Sequence, residues 1–545
     1  MYGSHGGDQE WRPRNSRGQT RTAGDAVVGL MISLGNLLGQ VDVLRAQGSL
    51  DIEVGSLCID HRRVVPGSMF VALCGTQVDG HSYVTAAIEA GAICVLVQHW
   101  PDHLPEEIPC IQVANSASAL GYVASAFYGN PSEKLTLVGV TGTNGKTTTV
   151  TLLYQLFNGL GHHSGLISTV SCRIGHREIP STHTTPNAIE INNLLHQMVQ
   201  EGCTHVFMEV SSHAMAQHRV SGLCFAGGIF TNLTRDHLDY HGSMENYFMA
   251  KRAFFDGLGK EAFALYNADD PYGKAMVAAS SARCFAYGFE GEGSEHPQLG
   301  DNFQGKDLVL DASSISYQAE GHVLSCGLSG KFNAYNTLAV YAAGRLLGGS
   351  ADDLQDVMRN LTPPSGRMQS IKGPYGRLGM VDYAHTPDAL EQVLLTLRGI
   401  AGNGVRIITV VGCGGDRDRG KRPLMAAIAY QHSDAVVLTS DNPRNEDPEQ
   451  ILNEMMTGIP EHAAVMDSSG INAEPKMLIR QADRAQAIRM AVQWTTAGDM
   501  ILVAGKGHEA YQEIAGIRHP FDDAKQLQEQ FEFLEKLPTS SSSIS

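Results

Sequence analysis

The stretch GVTGTNGKTTTV at residues 139–150 has the composition of a phosphate-binding loop between a strand and a helix. Gly142 and Gly145 would let backbone N–H groups converge on phosphate oxygens without an obstructing side chain. Lys146 is placed to reach the outer phosphates of a nucleotide, and the Thr147 hydroxyl to reach Mg²⁺. The alternative is a glycine-rich turn with an incidental lysine, but the order of strand, loop and helix favours a nucleotide site.

The composition bounds the class of protein. At 545 residues the chain is too long for one ordinary core, and about two to four domains are expected. A net charge of −17 argues against general binding of nucleic acid. No apolar run reaches the roughly 18 residues needed to cross a bilayer. The ten cysteines are scattered without a Cys-x-x-Cys pair, as expected of reduced thiols in the cytoplasm.

Apolar strand-like runs alternate with helical stretches along the chain, which predicts an α/β fold with parallel sheets throughout. Residues 31–48 are expected to form an amphipathic helix, and residues 286–306 and 462–478 read as loops without an assigned role. The predicted divisions are a tail or upstream start at 1–30, a domain at 31–134, a central domain at 135–364, a third domain at 365–537 and a tail at 538–545. Almost every polar cluster follows a strand, where a ligand on a parallel sheet binds.

The loop is not the common P-loop G-x-x-x-x-G-K-[ST], because Gly139 lies six residues before Gly145 rather than five. Eight further polar blocks follow it in the chain, within roughly residues 55 to 525. They are MEVSSHAMAQHRV (208–220), NLTRDHLDYHGSMENYFMAKRAFF (232–255), GKFNAYN (330–336), SGRM (365–368), VDYAHTPDAL (381–390), CGGDRDRGKRPLM (413–425), DNPRNEDP (441–448) and AGKGHE (504–509). With the form T-G-T-N-G-K-T-T of the loop, these blocks and their order resemble the Mur ligase family.

The resemblance implies a three-domain α/β architecture. Its central domain would be a P-loop ATPase domain with a parallel-rich sheet, and its C-terminal domain would be Rossmann-like and bind the amino acid. The N-terminal domain would bind the UDP-linked substrate. The implied activity is an ATP-dependent amide-forming ligase of peptidoglycan and cell-wall synthesis. It would add meso-2,6-diaminopimelate to UDP-N-acetylmuramoyl-L-alanyl-D-glutamate through an acyl phosphate.

The same resemblance implies the residues of the reaction centre. The expected catalytic residues are Lys146, Glu209, His237 and Lys251. The expected ATP-binding residues are Gly142, Thr143, Asn144, Gly145, Lys146, Thr147, Thr148, Asn336, Arg367 and Asp382. One Mg²⁺ is expected on Thr147 and Glu209, and a second on His237 and a carbamylated Lys251.

Two of these assignments have structural alternatives. A lysine ammonium repels a metal ion, so the Lys251 amine would have to be neutral before CO₂ converts it to an anion. The alternative for Lys251 is a solvated lysine on an amphipathic helix. Arg367 is expected to reach the phosphates from the third domain, so that closure assembles the site. Its alternative is an interdomain salt bridge.

The resemblance also implies the two substrate sites. Residues expected to contact the UDP-linked substrate are Ile59, His61, Thr76, Gln77, Val78, His183, Thr184, Thr185, Ser211, Gln217 and Arg219. His61 and His183 stand where the family often has serine and asparagine, and both can still donate hydrogen bonds. Residues expected to contact diaminopimelate are Arg417, Asp441, Asn442, Pro443, Arg444, Gly505 and Glu509.

The DNPR block indicates which amine is added. An arginine fork binds both oxygens of a carboxylate, so Arg444 suits the distal carboxylate of diaminopimelate, and Glu509 its distal ammonium. Taken alone, DNPR could also be a proline turn that caps the helix starting near Pro448.

The expected cofactor is Mg²⁺, with ATP as a substrate. The expected partners are small molecules only, with no nucleic acid or membrane insertion, and the protein is expected to be a cytoplasmic monomer. Three other functions stay open at this point. They are a lysine-adding Mur ligase, a ligase similar to folylpolyglutamate synthase, and a regulatory protein that binds ATP without amide chemistry.

Overall fold

The computed structural model describes residues 30–536 apart from 76–77, 182, 291–301, 312–313, 403 and 461–475. The tails expected at 1–30 and 538–545 therefore lie outside the described residues, apart from Leu30. Three main sheets follow one another along the chain, and none of them contains strands from both sides of residue 134 or residue 364. The limits of the domains themselves stay predictions.

The first region is a small α/β unit. Its elements are β1 (Ile32–Ser33), α1 (Leu34–Leu37), β2 (Val43–Gln47), β3 (Glu53–Val54), β4 (Ser56–Cys58), β5 (Ser68–Val71), α2 (Val84–Glu89), β6 (Ala92–Val97), β7 (Cys110–Val113) and α3 (Ser116–Phe127), with 3-10 turns at His61–Arg63, Gly80–Tyr83 and Pro131–Lys134. Strands β2-β7-β6-β5-β4 form one sheet in that order, in which only the β2–β7 pair is antiparallel. β1 and β3 form a separate antiparallel pair.

The helix predicted over residues 31–48 is wrong. Only α1 is helical within this stretch, and β2 pairs with β7 instead. Gly35 and Gly39 each weaken a helix by about 1 kcal/mol relative to alanine. The β-branched Val43 also suits a strand, so the pairing partner offered by β7 outweighs the helical spacing of the leucines.

The central region carries the largest sheet. Its elements are β8 (Thr136–Thr141), α4 (Lys146–Gly159), β9 (Ser164–Ile167), β10 (Ser171–Ile174), β11 (Arg177–Pro180), α5 (Ala188–Gln200), β12 (His205–Glu209), α6 (Ser212–Ala216), β13 (Gly227–Phe230), α7 (Leu238–His241), α8 (Met244–Asp256), β14 (Phe263–Asn267), α9 (Gly273–Met276), β15 (Arg283–Phe289), β16 (Phe303–Leu310), β17 (Ile315–Ala319), β18 (His322–Cys326), α10 (Lys331–Leu346) and α11 (Ala351–Met358).

Seven strands in the order β9-β12-β8-β13-β14-β15-β16 pair in parallel. Antiparallel strands extend both edges, with β10 and β11 on one side and β17 and β18 on the other. One apolar layer packs α4 and α10 against the sheet, and another packs α5 and α8. The parallel centre is thus covered on both faces, as the long apolar strands require.

The C-terminal region forms a third sheet. Its elements are β19 (Gln369–Lys372), a 3-10 turn at Pro374–Gly376, β20 (Leu378–Asp382), α12 (Pro387–Ile400), β21 (Ile407–Cys413), α13 (Lys421–His432), β22 (Ala435–Ser440), α14 (Pro448–Met456), β23 (Met477–Gln481), α15 (Arg484–Gln493), β24 (Met500–Ala504), β25 (Tyr511–Ile514), β26 (Ile517–Pro520) and α16 (Asp523–Lys536). The sheet order is β19-β20-β24-β21-β22-β23, with β19 antiparallel and the others parallel. β25 and β26 form a hairpin beside it.

The predicted α/β fold with parallel-rich sheets is confirmed, but the expectation of parallel sheets throughout is wrong at the edges. Antiparallel strands lie there instead: β2 in the first sheet, β10, β11, β17 and β18 in the second, and β19 in the third. The loops predicted at 286–306 and 462–478 are also wrong at their ends. β15 extends into the first loop, β16 begins within it, and β23 begins within the second. Across the described part of the chain, no helix combines the length and apolar character needed to span a bilayer.

Candidate active site

The phosphate loop connects β8 to α4 at the carboxyl edge of the central sheet. Gly142 and Gly145 have φ angles of 149° and 86°, which side chains of L residues rarely allow. A Cβ on Gly142 would overlap Thr231 Oγ1, and one on Gly145 would lie 2.5 Å from Asn336 Oδ1. The Asn144 amide donates to Asn232 Oδ1 at 2.9 Å, so β13 fixes the loop from the neighbouring strand end. The glycines are thus required by close approach of two other segments.

The residues that follow the loop bring polar groups to the end of β12. Lys146 Nζ donates to the carbonyls of Gly142 and Thr143 at 2.9 and 2.8 Å. Thr147 Oγ1 donates to Glu209 Oε1 at 2.9 Å, and the same carboxylate oxygen accepts from the Thr169 amide at 2.7 Å. Glu209 is 1% exposed. Hydroxyl and carboxylate oxygens at this spacing are the kind of ligand that Mg²⁺ prefers.

Lys251 lies on α8 and is 1% exposed, so the alternative of a solvated lysine is wrong. Its Nζ donates to the Gly142 carbonyl at 2.7 Å and lies 4.6 Å from the centre of the Tyr247 ring. Burial lowers the pKa of Lys251 well below its usual value, and the charge of Lys146 lowers it further. A lysine with a depressed pKa presents a free amine lone pair, which is the form that reacts with CO₂.

His237 lies beside an acidic group at the same edge of the sheet. Its Nε2 is 3.3 Å from Asp236 Oδ2, which is also 3.7 Å from His385 Nε2. Burial lowers the pKa of His237 to about 3, although Asp236 opposes the shift. Burial alone would raise the pKa of Asp236, but the hydrogen bond from His385 and the nearby positive charges hold it below its usual value. Burial therefore favours the neutral imidazole of His237, which is the form that can serve as a ligand.

One cavity lies between the central and C-terminal regions and collects most of the expected ATP-binding residues. Those that line it are Asn144, Gly145, Thr148, Asn336, Arg367 and Asp382. Asn144 Nδ2 donates to Asp388 Oδ2 at 2.9 Å, which joins the loop to the first turn of α12. Asp382 is buried and accepts from the Met368 and Ala384 amides at 2.7 and 2.8 Å.

Arg367 is the arginine that crosses between the regions. Its Nη2 donates to Thr147 Oγ1 at 3.1 Å, and its guanidinium carbon lies 4.5 Å from the centre of the Tyr383 ring. Its Nε is buried and has no hydrogen-bond partner within the described structure. Its described polar contact across the boundary is a hydroxyl and not a carboxylate, which contradicts the alternative of an interdomain salt bridge.

A second cavity lies between the N-terminal and central regions. Of the residues expected to contact the UDP-linked substrate, those that line it are Ile59, His183, Gln217 and Arg219. Arg219 donates to the Thr185 carbonyl at 2.6 Å and to Gln217 Oε1 from two nitrogens. The Thr185 hydroxyl in turn donates to the Glu209 carbonyl at 2.8 Å. This network connects the second cavity to Glu209 at the end of β12.

The remaining residues expected near the UDP-linked substrate are more dispersed. The Ser211 backbone N–H donates to Thr185 Oγ1 at 3.1 Å, and the Thr169 hydroxyl donates to Thr184 Oγ1 at 3.0 Å. His61 stacks on Tyr83 at a ring distance of 4.3 Å and is not among the residues lining the second cavity. Val78 is exposed and also lies outside that lining. Thr76 and Gln77 lie outside the described residues.

The residues expected to contact diaminopimelate gather at the carboxyl ends of β22 and β24. Asp441 and Asn442 are buried, and Asn442 Nδ2 donates to Glu509 Oε2 at 2.8 Å. Gly505 has a φ of 115°, and a Cβ there would lie 3.3 Å from Asp441 Oδ2. The exposed Arg417 donates to the Asp416 carbonyl at 3.2 Å.

Arg444 is held through its backbone as well as its side chain. Its φ is 50°, its amide donates to the Glu513 carbonyl at 3.0 Å, and its carbonyl accepts from Ala515 at 2.7 Å. Its Nη1 donates to the Gly415 carbonyl at 2.7 Å. The DNPR segment therefore does more than cap α14, since Pro443 and Arg444 come before the capping residue Asp447. The hairpin of β25 and β26 fixes where the guanidinium lies.

One three-residue group has the geometry of a metal site but not the free ligands. Within the described residues, Cys74, Asp79 and His81 place their ligand atoms within 4.8 Å of one another. His81 Nε2 accepts from the amides of Gln98 and His99, so Nδ1 carries the proton and donates to Asp79 at 2.6 Å. The imidazole is thus used to fix the end of β6.

Models of known protein families match each of the three regions of the chain. Residues 53–128, 140–344 and 366–507 match the models described as Mur ligase family catalytic domain, Mur ligase middle domain and Mur ligase glutamate ligase domain. The chain is 47% identical over 500 residues to the UDP-N-acetylmuramoyl-L-alanyl-D-glutamate--2,6-diaminopimelate ligase of Bacteroides fragilis, covering 92% of this chain and 99% of that one. The chain belongs to the Mur ligase family.

Solved structures agree with the fold of this Mur ligase. A structure of UDP-N-acetylmuramoyl-L-alanyl-D-glutamate--2,6-diaminopimelate ligase aligns with a TM-score of 0.63 at 30% identity, covering 93% of this chain and all of that one. MurF ligase from Thermotoga maritima in complex with ADP aligns with a TM-score of 0.58, covering 88% of this chain and 98% of that one. At 19% identity, the second likeness shows the fold alone.

Several polar residues of this Mur ligase were missed in the sequence. Lys506 is 0% exposed and donates to Asn442 and Glu509. Asp236 and His385 face each other across the boundary between two regions. All three belong to the quoted blocks and follow strands, and that position is the signal that could have found them. Tyr383, directly after β20, and Tyr247, within α8, carried no such signal, because an aromatic residue beside a strand or on an amphipathic helix is usually a core residue.

Proposed function

We propose that this Mur ligase uses ATP to join meso-2,6-diaminopimelate to the D-glutamate end of UDP-N-acetylmuramoyl-L-alanyl-D-glutamate. The observation that carries the proposal is similarity over 92% of the chain to relatives named for that reaction. Three features support the proposal: a cavity lined by six of the expected ATP-binding residues, a second lined by four of those expected to contact the UDP-linked substrate, and Asp441, Arg444 and Glu509 at the ends of β22 and β24. The reaction supplies a peptidoglycan precursor for the cell wall.

The chemistry requires an activated carboxylate. The γ-phosphoryl group of ATP moves to a carboxylate oxygen of the D-glutamate, which leaves ADP and an acyl phosphate. The neutral amine of diaminopimelate then attacks the acyl carbon, a C–N bond forms, phosphate leaves with its oxygen, and one proton is released. Negative charge gathers on the transferring phosphoryl group, so cations serve better than a nucleophilic side chain. Lys146 contacts the loop carbonyls and Arg367 reaches Thr147, so both can supply positive charge beside the loop.

The residues at the end of β12 fit Mg²⁺. The oxygens of Thr147 and Glu209 lie 2.9 Å apart and would hold one ion, which would offset phosphate charge. His237 supplies a neutral nitrogen for a second ion. Lys251 fits this set only as a carbamate, which forms when its neutral amine adds to CO₂ and loses a proton. Burial of Lys251 supports that modification, because it disfavours the ammonium form.

The amino acid is selected by Arg444 and Glu509. The guanidinium fork of Arg444 would bind the distal carboxylate, and Glu509 would bind the distal ammonium. Lysine lacks the distal carboxylate and would place its ammonium near the arginine, which is unfavourable. A ligase similar to folylpolyglutamate synthase and a regulatory ATP-binding protein fit less well, since neither accounts for similarity to the named ligases over the whole chain. We further propose that the protein works as a monomer in the cytoplasm, because ATP and nucleotide-linked precursors are made there.

The test is a reconstituted reaction with purified protein, ATP, Mg²⁺, the UDP-linked dipeptide and meso-diaminopimelate. We expect phosphate release to depend on both substrates, and mass spectrometry to show the tripeptide product. Replacing diaminopimelate with L-lysine should reduce the rate strongly. ADP formation without a new peptide bond would disprove the proposed function, and equal use of lysine would disprove only the assigned amine.

A further inference from the structure

A buried lysine lies behind the carboxylates of the amino-acid site. Lys506 follows β24 and is 0% exposed. Its Nζ donates to Asn442 Oδ1 at 3.0 Å and to Glu509 Oε2 at 3.1 Å, and it lies 3.6 Å from Asp441 Oδ1. One ammonium therefore binds the side chains of three residues expected to contact the amino acid.

The amide of Asn442 completes the connection. Its Nδ2 donates to Glu509 Oε2 at 2.8 Å, and its Oδ1 accepts both from Lys506 and from the Glu513 amide. Gln512 Nε2 donates to the Asp441 carbonyl at 2.7 Å. These hydrogen bonds fix the carboxylate of Glu509 from behind, and they leave its second oxygen, Oε1, for another partner.

Charge is balanced within this group and the neighbouring Arg444, leaving outside it the exposed Arg417 and the buried Arg484, which is paired with Asp523. Asp441 and Glu509 contribute two negative charges, and Lys506 and Arg444 contribute two positive charges. Tyr511 lies close to three of these groups. Glu509 and Arg444 both shift its pKa, and Lys506 Nζ lies 5.5 Å from the centre of its ring. Glu513 and Arg518, on the hairpin of β25 and β26, add one charge of each sign. A site without net charge suits a ligand end that has both an ammonium and a carboxylate, since an unpaired buried charge is costly.

We propose that Lys506 is a positioning residue that determines amine specificity, by making the distal part of the amino-acid site electrically neutral and holding Glu509 in place. The inference rests on the proposed function, because it concerns the amino acid which that reaction consumes. In this role, Lys506 makes the site favour a distal end that is a zwitterion over a distal end with a single charge. Arg444 alone would favour a carboxylate, and Glu509 and Asp441 alone would favour an ammonium.

The experiment uses amino acids that differ in the charge of the distal end. They are meso-diaminopimelate with a zwitterion, L-lysine with an ammonium and L-2-aminopimelate with a carboxylate. The full-length enzyme is assayed with ATP and the UDP-linked dipeptide, and kcat/KM is measured for each amine. Lys506→Met and Lys506→Gln remove the charge, and the glutamine can keep a hydrogen bond if the methionine variant does not fold. Lys506→Arg keeps the charge, and Lys525→Met removes an exposed lysine of the same region.

Without the ammonium, the site has a net negative charge. We expect kcat/KM for diaminopimelate to fall by about tenfold or more, on the scale of a truncated buried charge pair. The ratio of kcat/KM for lysine to kcat/KM for diaminopimelate should rise, and the corresponding ratio for 2-aminopimelate should fall. Lys506→Arg and Lys525→Met should leave both ratios near those of wild type. A parallel fall for all three amines in both neutral variants would show a merely structural role and overturn the inference. Failure of the wild-type enzyme to use diaminopimelate would instead disprove the proposed function.

Discussion

Two lysines of this enzyme are almost completely buried, and their surroundings differ. Lys251 in the central region donates to a backbone carbonyl and lies over a tyrosine ring, and burial dominates the shift of its pKa. Lys506 in the C-terminal region contacts Glu509 and Asp441 directly. The first environment stabilises a neutral amine, and the second stabilises an ammonium.

The difference shows that burial of a lysine does not by itself indicate its chemistry. A desolvated amine without an adjacent carboxylate is a nucleophile for CO₂, whereas an ammonium between carboxylates is a fixed charge. The sequence around Lys251 is apolar and that around Lys506 is rich in glycine, but neither context shows whether the amine is charged, so the partner atoms distinguish the two residues. The predictions below test each side of this comparison, from the largest expected effect to the smallest.

Removing Lys251 should have the largest effect. Lys251→Ala should lower kcat by roughly a hundred- to a thousandfold, the scale for loss of one electrostatic stabiliser of a transition state. Short carboxylates such as acetate should restore part of the activity, because they can fill the gap with an anion. The exposed Lys260 provides a matched control, and Lys260→Ala should have wild-type rates. Full activity of Lys251→Ala without added carboxylate would refute the carbamate and make Lys251 a structural residue.

Removing Arg444 tests the second environment, in which fixed charges select the amine. Arg444→Ala should reduce kcat/KM for diaminopimelate by about a hundredfold, equivalent to a few kcal/mol for a desolvated charge pair. Lysine should lose much less, since it has no distal carboxylate for the fork. Arg489 is exposed on α15, and Arg489→Ala is the control. Unchanged kinetics with diaminopimelate would place the distal carboxylate elsewhere.

Arg367 lies between the two environments, since it reaches from the C-terminal region to Thr147. Arg367→Lys keeps the charge but loses the planar fork and its stacking on Tyr383, so kcat should fall by about tenfold. The melting temperature should hardly change, because no ion pair is broken. Arg359 forms an exposed ion pair with Asp356, and Arg359→Lys should leave both quantities as they are. A lower melting temperature with a normal kcat would mean that Arg367 only holds the regions together.

Much of the fold could be predicted because its strands are continuous apolar runs. The run LTLVGVTG became β8, and IITVVGC became β21, since buried parallel strands need apolar residues on both faces. The loop after β8 could be predicted for a similar reason, as only glycine fits where Thr231 and Asn336 approach the backbone. Local composition determines such features.

Contacts between distant segments could not be predicted in this way. Asn144 meets Asp388 across 244 residues of sequence, and Arg367 meets Thr147 across 220. No local pattern specifies which domain face meets which. The alternatives considered for Lys251 and Arg367 were decided by burial and by the described contact with a hydroxyl, and both are properties of the assembled domains. The mistaken helix over residues 31–48 has the same cause, because β7 supplies the pairing partner from about 65 residues further on.

His508 gives the smallest and most specific test. Its ring lies 5.3 Å from the ring of Tyr383, over which the Arg367 guanidinium lies. Burial, followed by the charge of Arg367, lowers the pKa of His508 to about 4. The unfolded chain therefore binds a proton that the folded chain excludes between pH 6.5 and 4, and stability falls as the pH drops through that window. Above pH 6.5 both states are neutral, so this contribution does not change.

His508→Gln removes the titration and keeps a polar side chain of similar size at this position. The melting temperature of the variant should differ from that of wild type by only a few degrees at pH 7.5. On acidification to pH 5 it should fall less than that of wild type, by scanning calorimetry. The exposed His519 is the control, and His519→Gln should follow the wild-type curve. If His508→Gln fell in parallel with wild type, the pKa of His508 would be the same in the folded and unfolded chains, and its burial would not disfavour the charged imidazole.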